Sequence, residues 1–124
     1  MPYKVKNKHE LREIIWSVNR AYSDCGELAN LDISELTGLS YVFKGCDRLK
    51  YLDLSKRDIS NVKNMAGIFD SCIRLHKLNL SNWNISNVEN TEGLFRSCKG
   101  LKELCLTNWN ILNIRNKKKK CLKI

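Results

Sequence analysis

Leucine alternates with polar residues in LKYLDLS, LHKLNLS and LKELCLT, which begin at Leu49, Leu75 and Leu101. Successive side chains of a strand point to opposite faces. Leu52 and Leu54, Leu78 and Leu80, and Leu104 and Leu106 therefore share one side. Tyr51, Asp53 and Ser55 take the other, as do Lys77, Asn79 and Ser81, and Glu103, Cys105 and Thr107. Each stretch reads as a short strand with one buried face. A different period follows. In SNVKNMAGIFDSC the apolar positions are Val62, Met65, Phe69 and Cys72, and such steps of three and four predict a short helix. Ser34, Ser60 and Ser86 stand where an N-cap hydroxyl accepts from first-turn amides.

The pattern recurs every 26 residues. Ile33, Ile59, Ile85 and Ile111 keep this step, and so do Phe43, Phe69 and Phe95, and Cys46, Cys72 and Cys98. The register is unbroken from Leu31 to Ile114. One strand and one short helix cannot bury their own apolar face, but stacked units can. A period within roughly 20–29 residues carrying LxxLxL is the leucine-rich-repeat signature. The predicted fold is thus an α/β leucine-rich-repeat solenoid. A parallel β-sheet lines its concave side, short helices its convex side, and a helix caps its N-terminus.

The ends differ from the middle. Asn7 and Glu10 have capping-box spacing, and Leu11, Ile14, Ile15, Val18 and Tyr22 follow at helical spacing. That stripe is expected to cover the first repeat, with Trp16 off it and Asp24-Cys25-Gly26 turning into the repeats. The last unit is degenerate, with Lys117 and Cys121 in place of the methionine and phenylalanine anchors. The chain after Asn116 is expected to be a solvated tail that leaves the last strand edge uncovered. One domain over 1–124 follows, with a cap over 1–30, repeats over 31–116 and a basic tail over 117–124.

The blocks LDLSKRDISNVKNMAGIFDSC and LNLSNWNISNVENTEGLFRSC resemble the BspA-like leucine-rich-repeat family of bacterial surface proteins, whose repeats look like LxLSNWDxSNVxNMxxMFxxC. The match spans about residues 31–116. It implies a solenoid that binds other proteins, often at a cell surface. Trp83 and Trp109 depart from many leucine-rich repeats, which place a ladder asparagine there, so the turn chemistry must differ.

Charge and cysteine content narrow the partner classes. The net charge is +9, and four of those charges are Lys117 to Lys120. A basic tail is not a basic face. The outward strand positions are small, polar and of mixed charge, which argues against specific nucleic-acid binding. No apolar run approaches the ~20 residues of a membrane span. No secretory signal opens the chain as given, so a cytoplasmic location is expected. The cell surface is the alternative that the resemblance implies. Reduced thiols are then the default for the six cysteines. The tail KKKKCLKI outlines a lipidation motif, but Lys123 sits where that motif wants an aliphatic residue.

Little points to catalysis. Cys46, Cys72 and Cys98, one per unit, lack the converging geometry of a zinc site and read as small buried packers. Cys105 faces outward as a solvent-accessible thiol, yet His76, in the neighbouring unit, is out of phase with it as a base. No catalytic, cofactor or metal residue is assigned. The reading is a non-catalytic protein–protein interaction module, monomeric or weakly self-associating. Its candidate contact residues are Tyr51, Asp53, Arg57, Lys77, Asn79, Trp83, Glu103 and Trp109. Trp83 and Trp109 are expected to stack at the rim, with Arg57 completing the ladder through a cation–π contact. The alternatives are a membrane-surface protein held by its tail and a truncated repeat protein without a preserved partner.

Overall fold

A computed structural model of the chain describes residues 2–21, 28, 30–109 and, for their backbone, 121–123. The predicted N-terminal helix is present as α1 (Lys8–Arg20). Asn7 caps it, its side-chain oxygen accepting from the Glu10 amide at 2.8 Å. Leu11, Ile15, Val18 and Asn19 are its buried side, and Ile14 packs partly against the core. Tyr22 and the expected turn at Asp24-Cys25-Gly26 lie outside the described residues.

Before the helix lies a strand that the sequence reading missed. β1 (Tyr3–Lys4) pairs in parallel with β2 (Leu31–Asp32). Val5 beside it is fully buried, and its amide donates to the Asp32 carbonyl at 2.9 Å. The three leucine-alternating stretches form β3 (Tyr51–Asp53), β4 (Lys77–Asn79) and β5 (Glu103–Cys105). They pair in parallel with Leu52, Leu78 and Leu104 in one row, so residues 26 apart become neighbours.

The chain end does not leave β5 uncovered, as expected above. β6 (Cys121–Lys123) pairs antiparallel to it, with Leu122 beside Leu104 and Cys121 beside Cys105. An exposed edge offers unpaired amides and carbonyls, and a short antiparallel segment satisfies them.

The expected short helices are also absent over 60–72 and 86–98, where the backbone forms turns. The hydrogen bonds give the reason. The amides of Met65, Gly67, Phe69 and Ser71 donate to the carbonyls of Asn90, Glu92, Leu94 and Arg96, at 2.7–3.1 Å. One unit earlier, Leu39, Tyr41, Phe43 and Gly45 donate in the same way to Asn64, Ala66, Ile68 and Asp70. Between them, Ile68, Asp70 and Cys72 close bonds to the carbonyl three residues back. A helix needs every amide for its own chain. Here alternate amides are committed to the next unit. Left-handed backbone at Tyr41, Gly67 and Gly93, and at Gly45, Ser71 and Ser97, aims them there.

The serines do not cap helices. The hydroxyls of Ser34, Ser60 and Ser86 donate to Asp32, Asp58 and Asn84 at 2.6–2.7 Å, while their amides donate to the same oxygens. These are Asx turns, the local competitor of a helix.

The core runs along the stack. Phe69 is fully buried between Phe43, at 5.3 Å between ring centroids, and Phe95, at 6.0 Å. The Cys72 thiol donates to the Phe43 carbonyl at 3.1 Å, and Cys98 donates to that of Phe69 at 3.0 Å. Burial pushes both thiols above the ordinary range, and Cys46, Cys72 and Cys98 are not disulfide-bonded.

Candidate functional site

The register sorts the candidate contact residues into three rows. Tyr51, Lys77 and Glu103 share one row on the open face of the sheet, and Asp53, Asn79 and Cys105 share the next. Arg57, Trp83 and Trp109 form the third, at the same step of 26 residues.

The first row is a contact surface in character. Tyr51 is 63% exposed. The His76 ring meets it edge-on with centroids 6.3 Å apart, and His76 Nδ1 lies 3.0 Å from the Gly100 carbonyl oxygen. Lys77 Nζ pairs with Glu103 Oε2 at 3.5 Å across β4 and β5. In the second row, Asp53 is exposed and Asn79 half-buried. Burial alone would push the Asp53 carboxyl up. Hydrogen bonds from the Ser55 hydroxyl and amide, with Lys56 and Asn79, outweigh it and hold the carboxyl below the usual range. Asn79 accepts from the Ser81 amide at 3.0 Å. The result is an exposed tyrosine beside an ion pair and anchored polar groups, carried on paired strands.

Cys105 does not belong to that surface. It is buried and disulfide-bonded, so the expected accessible thiol is not there. The cross-strand position beside it in β6 explains the burial, because the expected free edge is covered.

The third row also departs from expectation, because it turns inward. Trp83 is 1% exposed and Trp109 half-buried. Their rings stack with centroids 6.2 Å apart and planes 7° from parallel. The indole N–H of Trp83 donates to the Leu54 carbonyl at 2.8 Å, and that of Trp109 to the Leu80 carbonyl at 2.6 Å. A buried indole needs such a partner, and the neighbouring unit supplies it. Arg57 makes no cation–π contact with Trp83 among the described residues; its guanidinium donates to the Leu31 carbonyl. Trp83 and Arg57 instead help line a small apolar cavity of about 20 Å³ between α1 and the first unit.

The ladder asparagine expected to be lost has moved. Asn61 and Asn87 donate through Nδ2 to the carbonyls of Ser34 and Ser60, at 2.8 and 2.7 Å. The repeated Ser-Asn-Val at 60–62 and 86–88 was the available signal.

Among the described residues, no three potential metal ligands cluster, and no helix is long and apolar enough to cross a membrane. No curated protein and no solved structure matches the chain. A family model described as "Mycoplasma protein of unknown function, DUF285" matches residues 12–123. It takes in most of the capping helix and all three stacked units, and the chain belongs to this family, which is part of the BspA-like group.

Proposed function

We propose that this protein is a non-catalytic interaction module, a small leucine-rich-repeat solenoid that binds a protein partner through the open face of its sheet. The carrying observation is Tyr51, 63% exposed on paired strands and flanked by the Lys77–Glu103 ion pair. Tyrosine supplies a large amphipathic contact at low entropic cost, and it is enriched where partners bind. The 26-residue register of the strands and the leucine row support the solenoid reading. The contact set is Tyr51, Asp53, Lys77, Asn79 and Glu103, without the inward-facing tryptophans. The family's tie to surface proteins supports a place at the cell surface, with the cytoplasm as the alternative. The protein acts as a monomer or weak self-associate, with no cofactor.

The test compares partner capture by the native chain and by Tyr51→Ala/Lys77→Ala. Both residues are exposed, so the variant should keep its melting temperature. Partners lost by this variant but kept by a chain with Lys117 to Lys120 neutralised support the sheet face. The reverse result supports the basic tail as the contact.

A further inference from the structure

The stack has a donor end. In each of the first two units, four alternate amides in the turn region donate to the carbonyls of the next unit. The equivalent amides of the third unit belong to Thr91, Gly93, Phe95 and Ser97. None of these four donates to any acceptor among the described residues. Their own carbonyls at 91, 93 and 95 already accept within the turn, from Leu94, Arg96 and Cys98. The rung therefore presents donors alone. Thr91 and Ser97 are exposed, and Phe95, which ends the phenylalanine stack, is half-buried where Phe69 is fully buried. β6 covers the sheet side of this end by pairing with β5, and no backbone bond joins it to the turn side among the described residues.

The opposite end is treated differently. The carbonyls of Tyr41 and Val42 are taken by the Arg12 guanidinium, at 2.9 and 2.8 Å. Val42 belongs to the row of carbonyls at Gly38, Ser40, Val42 and Lys44 that a preceding unit would bond, so at that one position an arginine from α1 stands in for such a unit. A second copy docking through this row would have to displace Arg12 from Val42.

We infer that the rung 91–98 is a docking site for a turn segment of the same repeat pattern supplied by another polypeptide. Its chemistry is set by the rungs already in place. It offers carbonyls at alternate residues, a phenylalanine to stack on Phe95, and a thiol to donate to the Phe95 carbonyl, as Cys98 does to that of Phe69. A regular β-strand is a poorer match, because its edge mixes donors with acceptors. This site is separate from the Tyr51 face and stands or falls independently of it.

The experiment is amide hydrogen exchange on the full chain, read residue by residue. The probe is a synthetic peptide of the second unit, NVKNMAGIFDSCIRL, kept reduced. In the free protein, Met65, Gly67, Phe69 and Ser71 should exchange slowly, and Thr91, Gly93, Phe95 and Ser97 much faster. At a peptide concentration about ten times Kd, exchange at the latter four should slow about tenfold. A peptide with its phenylalanine replaced by aspartate should not slow it. Slow exchange at the four amides in the free protein would overturn the inference. So would their failure to respond at millimolar peptide, or a response confined to Tyr51 and Lys77. Protection that rises with protein concentration alone would replace the proposed occupant with a second copy.

Discussion

Asp58 and Asn84 hold the same place in consecutive units and make the same two bonds, to the amide and hydroxyl of a serine two residues on. The molecule has thus already made the substitution that tests Asp58. The Ser60 hydroxyl, then its amide, holds the Asp58 carboxyl below the ordinary range, and Ser34 does the same for Asp32. A depressed folded-state value means stability that is complete above the unfolded value of ~3.9 and lost as pH falls through the lower folded value. Asp58→Asn should leave neutral-pH stability within about 0.5 kcal/mol and reduce the loss on acidification, which paired melting curves at neutral and acid pH would measure. An unchanged acid profile would mean that this carboxyl contributes nothing. Phe69 is the opposite case, fully buried between two rings. Phe69→Ala should cost about 3–5 kcal/mol, read by denaturant unfolding. The thiol beneath it follows the same logic. Cys72 is buried, its thiolate disfavoured by burial, and it should stay unalkylated in native protein under conditions that label an exposed cysteine.

The elements were legible where alternation alone decides them. Leu52, Leu78 and Leu104 announce three strands, and Asn7 with the Leu11–Val18 stripe announces α1. The turn region was misread because bonds to the carbonyl three residues back bring Val62, Met65, Phe69 and Cys72 to one side, as a helix would. Gly67 and Gly93, poor helix formers inside that window, were the contrary signal. The tryptophan row was misplaced because aromatic residues near arginine fit a rim as well as a core. The deciding fact, a carbonyl within reach of each indole, is not written in any single unit. Gly67 supports a sharper test at this scale. Its φ is +57°, and an added Cβ would sit 2.2 Å from the Tyr41 ring. Gly67→Ala should destabilise the protein by more than the roughly 1–2 kcal/mol of a left-handed residue alone. Much of the excess should vanish in a Tyr41→Gly background, and a double-mutant cycle would read that coupling.

At the scale of the whole molecule, the two ends are covered by different means, the last one only on its sheet side. α1 and Arg12 cover the first unit, and β6 covers the edge of β5. Removing residues 117–124 should therefore lower the melting temperature, speed exchange at Glu103 to Cys105 and promote association through the bared edge. An unchanged melting temperature would show that β6 adds no stability. Salt-sensitive binding of the intact chain to anionic vesicles would report only its lysines. The constant offset between bonded groups also carries a consequence for how such a gene can change. Asn87 bonds Ser60 as Asn61 bonds Ser34, 27 residues apart in both cases, and the two indoles each reach 29 residues back. A single-codon insertion inside a unit puts out of step every donor whose acceptor lies on the other side of it. Excising residues 61–86 joins Ser60 to Asn87 and brings each bereaved group an equivalent partner. Unequal crossing-over between units is then a far gentler event than a one-residue slip, and descendants of this chain should differ in length by whole units.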